Sequence, residues 1–194
     1  EAAARRMRHA VFAECAADWL ALAHHRDDQA ETVLLNMLRG AGIAGAAGML
    51  AERPQVHGPV LVRPLLNVPR ALIEDYAAEQ ALRWIEDESN DDMHYRRNYL
   101  RQEVMPQLEE KFPGARKALA RAASHFAEGA LLLDELAAID RAALSTATGR
   151  IGLAGFNALS PPRARNLLRF AWLAAGFRAP DTRWIDEALR QLAT

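Results

Sequence analysis

The sequence predicts an α/β domain followed by an all-helical domain, and three observations support this prediction. Two short apolar runs, residues 19–23 and 60–66, are each followed by a helical pattern, as in a βαβ unit with a parallel sheet. From Tyr95 onward, nearly every segment has helical periodicity, and the composition changes near residue 110. We therefore predict an α/β domain over residues 1–112 and a helical domain over residues 113–194.

The first three elements come in the order helix, strand, helix. Residues 3–17 space their apolar side chains three and four apart, which predicts an amphipathic helix. The run WLALA at 19–23 precedes a polar cluster, as is typical of a buried parallel strand whose C-terminal end carries function. From Asp28 the apolar residues follow a helical period that stops at Gly40, which indicates the helix end.

A second strand and helix follow the small-residue loop GAGIAGAAG. The run VLVRPLL at 60–66 predicts a buried strand, and Pro69 suits the first turn of a helix over residues 70–82. Residues 83–98 form a polar connector. This part of the chain therefore has βαβ-like organisation.

The remaining segments are helical, with interruptions predicted at Pro106, Pro113 and the LSPPR stretch. The longest helix is expected at about residues 114–144. Residues 148–159, TGRIGLAGFNAL, are expected to form a small extended segment between helices.

Composition limits the classes of protein that fit. The apolar runs are too short or too interrupted by charge to reach the roughly 20 residues of a membrane span, and the start lacks the apolar centre of a secretory signal. The single Cys15 cannot form an internal disulfide, so we expect a cytoplasmic protein.

The net charge of −1 neither supports nor excludes binding of nucleic acid, because the arrangement of charge on the surface matters more than its sum. Only two of the 24 basic residues are lysines, which favours phosphate and carboxylate binding but also fits a coding bias.

The most unusual stretch is HHRDDQAET, residues 24–32, at the predicted junction of strand and helix. Free backbone N–H groups and the helix dipole make such a junction suitable for phosphates or a developing anion. Asp28 and Glu31 also have capping-box spacing, so both carboxylates have a purely structural alternative. Helix capping does not explain why four further polar residues lie in the same turn: His24, His25, Asp27 and Gln29.

The cluster does not have the pattern of a resident metal site. The two histidines are adjacent rather than four apart, and cysteine ligands are missing. We therefore predict no resident metal ion, and expect Mg²⁺ to be held loosely by carboxylates together with the phosphate oxygens of a substrate.

HHRDDQAET resembles the His-His-x-x-Asp-Gln-x-Glu-Thr signature of the tRNA(Ile)-lysidine synthases, members of the N-type ATP pyrophosphatases. Three further stretches match that family in order and approximate spacing: RPLL at 63–66, RWIEDESN at 83–90 and YRRNYLRQEVMPQLEEKFP at 95–113. The resemblance implies that the α/β part is the C-terminal part of a parallel-sheet ATP pyrophosphatase domain. The helical remainder is similar to the family's substrate-binding domain through weaker motifs.

The resemblance implies ATP-dependent attachment of L-lysine to C2 of the wobble cytidine in an isoleucine tRNA with a CAU anticodon. ATP adenylates the base, pyrophosphate leaves, and the lysine side-chain amine then displaces AMP. The implied partners are ATP, L-lysine and this tRNA, with Mg²⁺ expected beside ATP and a homodimer left open.

The resemblance also assigns residues to roles. Asp28 and Glu31 are implied in lysine recognition, with Arg97 as the partner of the lysine carboxylate. His24 and His25 are implied in nucleotide binding, and Asp28 and His24 in catalysis. Arg97 and Arg101 lie four apart, on one face if that stretch is helical. A solvated face, or pairing with Asp91 and Asp92, is the alternative for these two arginines.

Docking of tRNA would depend on backbone charge and on stacked bases. The candidate residues are Arg101, Arg116, Arg121 and Arg165, with Arg163, Arg169, Phe170 and Trp172 as further members of such a surface. For each of them an ordinary solvated or core position is the alternative.

The family's phosphate-binding loop, Ser-Gly-Gly-x-Asp-Ser, does not occur in these 194 residues, and GAGIAGAAG contains no Ser or Lys to replace it. We therefore expect a fragment that lacks the N-terminal loop and is inactive alone. The alternatives are a non-catalytic tRNA-binding module and a cytidine thiolase, although Cys15 alone gives little basis for sulfur or iron–sulfur chemistry.

Overall fold

The computed structural model describes residues 7, 10–55, 57–85, 87–177 and 179–193. The chain divides into two compact units, residues 1–127 and 128–194, with the division inside the longest helix. The predicted boundary after residue 112 stays a prediction. Among the described residues, no helix combines the length and apolar character needed to cross a membrane.

The first unit contains a three-stranded sheet in the order β1, β3, β2: β1 is Trp19–Ala21, β2 is Glu52–Arg53 and β3 is Val60–Val62. Strand β1 runs parallel to β3, with Leu20 opposite Leu61, and β2 is antiparallel to β3. The predicted parallel relation of the two apolar runs is confirmed. Both strands are shorter than predicted, because Pro64 cannot donate to a ladder and the chain turns at residues 64–67.

The prediction that both strands are buried is correct only for the central one. Leu61 of β3 is fully buried, whereas Trp19 of β1 is 57% exposed. The difference follows from position, since β1 lies at an edge of the described sheet while β3 has a strand on each side.

The helices of the first unit are α1 at Arg26–Leu38, α2 at Ile43–Ala46, α3 at Arg70–Glu79, α4 at Arg96–Tyr99 and α5 at Met105–Lys111. The predictions of α1 and α3 are confirmed, whereas α2 lies in the predicted loop GAGIAGAAG and α4 begins inside the predicted connector. A 3₁₀ turn covers Glu88–Asp91 in the polar connector. Pro69 is the N-cap of α3 rather than its first residue. Of the predicted helix at 3–17, residues 10–14 are helical and residues 15–17 are not, while residues 1–6, 8 and 9 lie outside the described part.

Pro106 does not interrupt the helix, contrary to the prediction. A π-helical segment, Leu100–Val104, joins α4 to α5, and the N–H of Met105 bonds to the carbonyl of Leu100, five residues back. The wider π turn lets the helix pass a residue that has no N–H to donate.

The longest helix, α6, is Ala115–Leu144, close to the prediction. The second unit continues with α7 at Leu153–Asn157, α8 at Pro161–Ala174 and α9 at Thr182–Leu192. The extended segment predicted at 148–159 is wrong for most of its length. Only a single bridge joins Ser145 to Ile151, and the next residues become helical because Phe156 packs into the core with Ala164 and Leu167.

Candidate active site

The polar cluster lies where β1 leads into α1, as the sequence predicts. Backbone bonds fix this junction: the N–H of Leu22 donates to the carbonyl of Val62 (2.8 Å), and that of Arg26 donates to Val68 (2.9 Å). The end of β3 and the turn after it therefore hold the first residues of α1 in place.

A capping box begins α1, but it lies one turn earlier than the predicted Asp28–Glu31 pair. His25 is the N-cap, and its Nδ1 accepts from the N–H of Asp28 (3.3 Å). Asp28 Oδ2 in turn accepts from the N–H of His25 (3.0 Å). His25, predicted to bind a nucleotide, therefore has a structural task, and Asp28 has only one oxygen, Oδ1, outside the cap.

Asp28 and Glu31 meet two arginines from a distant part of the chain. Arg97 donates through Nε to Glu31 Oε2 (2.9 Å) and through Nη2 to Asp28 Oδ1 (2.9 Å). Arg101 donates to both oxygens of Glu31 (2.7 and 2.9 Å) and through Nη2 to Asp28 Oδ1 (3.0 Å). We call these four residues the charge network.

The charge network is balanced and largely removed from solvent. The side chains of Asp28 and Glu31 are 12% and 4% exposed, and those of Arg97 and Arg101 are 33% and 26% exposed. The hydrogen bond to Glu31 raises the pKa of Arg101 further above its ordinary value, against the effect of burial. Two carboxylates and two guanidinium groups thus satisfy one another at low exposure, and removing one member leaves a partly buried charge without its partner.

This arrangement changes the interpretation of Arg101. The sequence placed it on a tRNA surface, with pairing to Asp91 and Asp92 as an alternative. The structure pairs both arginines with Asp28 and Glu31 instead, while Asp92 bonds to His94. Direct tRNA contact by Arg101 remains a prediction.

His24 lies beside the charge network and is partly buried. Its Nδ1 is buried and has no hydrogen-bond partner among the described residues. Burial lowers the pKa of His24 below its ordinary 6.5, and the positive charges of Arg63 and Arg97 lower it further, against the opposing charge of Asp28. His24 is therefore neutral at pH 7, with a ring nitrogen that the surrounding residues leave unused.

We expect the ¹H NMR titration midpoint of the His24 ring to lie below 6.5. Since the unfolded chain then takes up a proton at higher pH than the folded chain, this residue lowers the free energy of unfolding as the pH falls below about 7. A His24→Asn variant should lose that part of the pH dependence. A midpoint at or above 6.5 would contradict the burial that the structure shows.

Two other members of the polar cluster have structural contacts. The amide of Gln29 donates to Met49 O (2.9 Å) and accepts from Met49 N (2.8 Å). Gly48, at φ +69°, passes so close that a Cβ there would lie 2.7 Å from Gln29 Oε1. Asp27 accepts from the N–H of Arg70 (3.2 Å) and pairs with Arg116 (3.2 Å). These two residues therefore support the site without facing the charge network.

Arg63 is a neighbour of the site to which the sequence assigned no role. It is buried, and its Nη1 donates to the carbonyl of Leu50 (2.6 Å). The sequence contained a clue to this position, since Arg63 begins the RPLL stretch and follows a strand at the sheet edge where His24 lies.

Two recesses open beside the charge network. Arg97 lines one of about 200 Å³ together with Arg39, Tyr95 and Arg96. Arg101 lines the other, of about 520 Å³. Each of these spaces therefore borders an arginine of the charge network and could hold part of a substrate.

The arginines predicted to bind tRNA are mostly paired with carboxylates. In the first unit, Arg116 pairs with Asp27 and Glu109, and Arg121 is exposed. In the second unit the pairs are Arg163 with Asp140, Arg165 with Asp186 and Arg169 with Asp134. The ring of Trp172 lies 4.0 Å from that of Trp184 and 4.5 Å from that of Phe177, and Phe170 is partly buried. The four paired arginines and Trp172 thus have partners in the chain, and contact of any of these residues with tRNA stays a prediction.

The described residues contain no group of three or more His, Cys, Asp or Glu side chains placed to hold a metal ion. The carboxylates nearest the junction bond to arginines or to backbone N–H groups, so they do not fit Mg²⁺. Any Mg²⁺ would then depend on oxygens that a substrate brings.

Two protein families match the chain. A family described as "PP-loop domain" matches residues 1–108, and one described as "TilS substrate binding domain" matches residues 152–194. Since the first match begins at residue 1, it does not support the prediction that the chain lacks an N-terminal loop.

The chain is also similar to bacterial proteins named tRNA(Ile)-lysidine synthase. It is 46% identical to that of Nitrosomonas europaea, over 99% of this chain and 42% of the relative. For Aromatoleum aromaticum the identity is 48%, over 99% of this chain and 44% of the relative. For Pseudomonas syringae pv. tomato it is 47%, over 100% and 45%. The chain thus spans less than half the length of these relatives.

Proposed function

Because the chain belongs to the PP-loop domain family, we propose that it is the part of a tRNA(Ile)-lysidine synthase that holds the lysine site. The complete protein joins the side-chain amine of L-lysine to C2 of the wobble cytidine in isoleucine tRNA with a CAU anticodon. The C2 oxygen attacks the α-phosphate of ATP and expels pyrophosphate, and the amine then adds to C2 and expels AMP. The charge network is the observation that carries this proposal, together with the names of the similar proteins.

The charge network gives the proposed lysine site its chemistry. Asp28 and Glu31 form an acidic pair at low exposure, which suits an ammonium group. Their oxygens are already engaged by guanidinium groups, so a lysine ammonium must take the place of at least one of those contacts. Arg97 is the more exposed of the two arginines, so we expect it to turn from Asp28 Oδ1 towards the lysine carboxylate when lysine binds.

His24 suits a role in proton transfer. The attacking amine must lose a proton, and a neutral imidazole with an unused ring nitrogen can accept one. We also expect His24 to face the nucleotide, while His25 acts through the cap. Mg²⁺ beside ATP, a homodimer and a cytoplasmic location are further expectations.

The test is incorporation of labelled lysine into a CAU-anticodon isoleucine tRNA transcript in the presence of ATP. We expect the complete gene product to incorporate lysine. Binding of tRNA without incorporation by the complete protein would favour a non-catalytic binding module. Transfer of sulfur in place of lysine would favour a thiolase.

A further inference from the structure

We propose that the recess of about 520 Å³ beside Arg101 binds one unpaired nucleotide of RNA, with the base stacked on Trp84. The inference rests on the proposed function for the identity of that RNA as a tRNA. We call this site the Trp84 recess.

Size and shape fit the ligand. Pockets that hold nucleotide-sized molecules have volumes of roughly 300–1,000 Å³, and this recess falls in that range. It is the larger of the two recesses beside the charge network. A phosphate alone would leave most of it empty.

An aromatic platform lines the recess and is not covered by the described chain. Trp84 is 61% exposed and the neighbouring Ile85 is 95% exposed, although both are large apolar residues. Exposed apolar side chains next to polar groups mark interaction surfaces. An unpaired base stacks on an indole ring whatever its sequence, because every base has a π face.

Polar groups around Trp84 suit the edge of a base. The Nε2 of Gln102 donates to the backbone oxygen of Asn90 (2.7 Å), which fixes the amide and leaves its Oε1 as an acceptor. The carboxylates of Asp87 and Asp91 also line the recess. Such acceptors match the exocyclic amino group of a base. Arg70 and Arg101 also line the recess and suit the phosphate of the same nucleotide.

The Trp84 recess reaches the charge network through Arg101. The guanidinium of Arg101 lines the recess and also bonds to Glu31 and Asp28. A nucleotide on Trp84 would therefore lie beside the proposed lysine site. Enzymes that act on a base take it out of the stack, so an unpaired base next to the amine site is the arrangement that the chemistry requires.

The experiment measures binding of this chain to a fluorescently labelled anticodon stem–loop RNA with a CAU anticodon, by fluorescence anisotropy. Trp84→Ala should raise Kd about 5- to 150-fold, as expected for loss of one base–aromatic stack. Trp84→Phe keeps an aromatic face and should bind nearly as well as the unchanged chain. Trp19→Ala is the matched control, because Trp19 is 57% exposed and lies on β1, away from the recess lining.

Four results would overturn the inference: no binding of the stem–loop, equal Kd for Trp84→Ala and Trp19→Ala, equal binding of the same RNA annealed to its complement, or displacement of the RNA by ATP. Lysine incorporation is measured separately. Loop binding that depends on Trp84 without lysine incorporation would reject the synthase and keep the recess. Incorporation that Trp84→Ala leaves unchanged would reject the recess and keep the synthase.

Discussion

Glu31→Ala should lower the free energy of unfolding of this chain by about 3–5 kcal/mol, the range found when one partner of a buried ion pair is removed. Glu31 is 4% exposed at its side chain and accepts from both Arg97 and Arg101. Its loss leaves two guanidinium groups with Asp28 Oδ1 as their shared acceptor. Because small domains are stable by only about 5–15 kcal/mol, this single change removes a large share of the stability.

Urea denaturation of the Glu31 variant measures this effect, with Glu74→Ala as the control. Glu74 also bonds to an arginine, Arg70, but both side chains are about half exposed, and such surface pairs contribute about 0–1 kcal/mol. Equal effects of the two variants would mean that the charge network does not form in solution. A double-mutant cycle of Glu31→Ala with Arg101→Ala should be strongly non-additive, since the two side chains are in direct contact.

The sequence predicted the parts of the structure that depend on nearby residues. Apolar periodicity located α1, α3 and α6, and the two apolar runs became the parallel pair β1 and β3. Spacing also placed Arg97 with Arg101, because residues four apart share a helix face. The resemblance then brought Asp28, Glu31 and Arg97 into one site.

Other features could not be predicted because they depend on long-range contacts or on weak preferences. Arg97 and Arg101 reach Glu31 across 66 and 70 residues, and periodicity does not show which carboxylates a helix face will meet. His25 is the N-cap although Ser, Thr, Asp and Asn are the preferred cap residues, so the capping box was assigned to the wrong turn. Pro106 predicted a break that the π segment before it avoids.

Asp28→Asn in the complete gene product should raise the lysine KM, or lower kcat/KM for lysine, by about 30-fold or more, since loss of one member of a buried charged pair costs about 2–5 kcal/mol. The amide oxygen of Asn can still accept from the N–H of His25, so the capping box that begins α1 can persist. What the variant removes is the negative charge at Oδ1, which Arg97 and Arg101 share. The substitution therefore separates the cap from the lysine site, which Asp28→Ala cannot do.

Asp27→Asn is the matched control. Asp27 precedes Asp28 in α1 and also carries a carboxylate, but it bonds to the N–H of Arg70 and to Arg116. We expect the lysine KM of this variant to stay close to that of the unchanged protein. The kinetics are measured at several lysine concentrations, with urea unfolding of each variant to show that the fold persists.

Comparison of lysine transfer with pyrophosphate release identifies the step that Asp28 serves. If Asp28→Asn abolishes lysine transfer but pyrophosphate is still released on mixing ATP with the tRNA, the carboxylate acts on lysine, as proposed. Equal loss of both would place Asp28 at the nucleotide, where the positive end of α1 also lies. Retention of normal transfer by a folded Asp28→Asn protein would mean that the charge network is structural alone, and that lysine binds at another set of carboxylates.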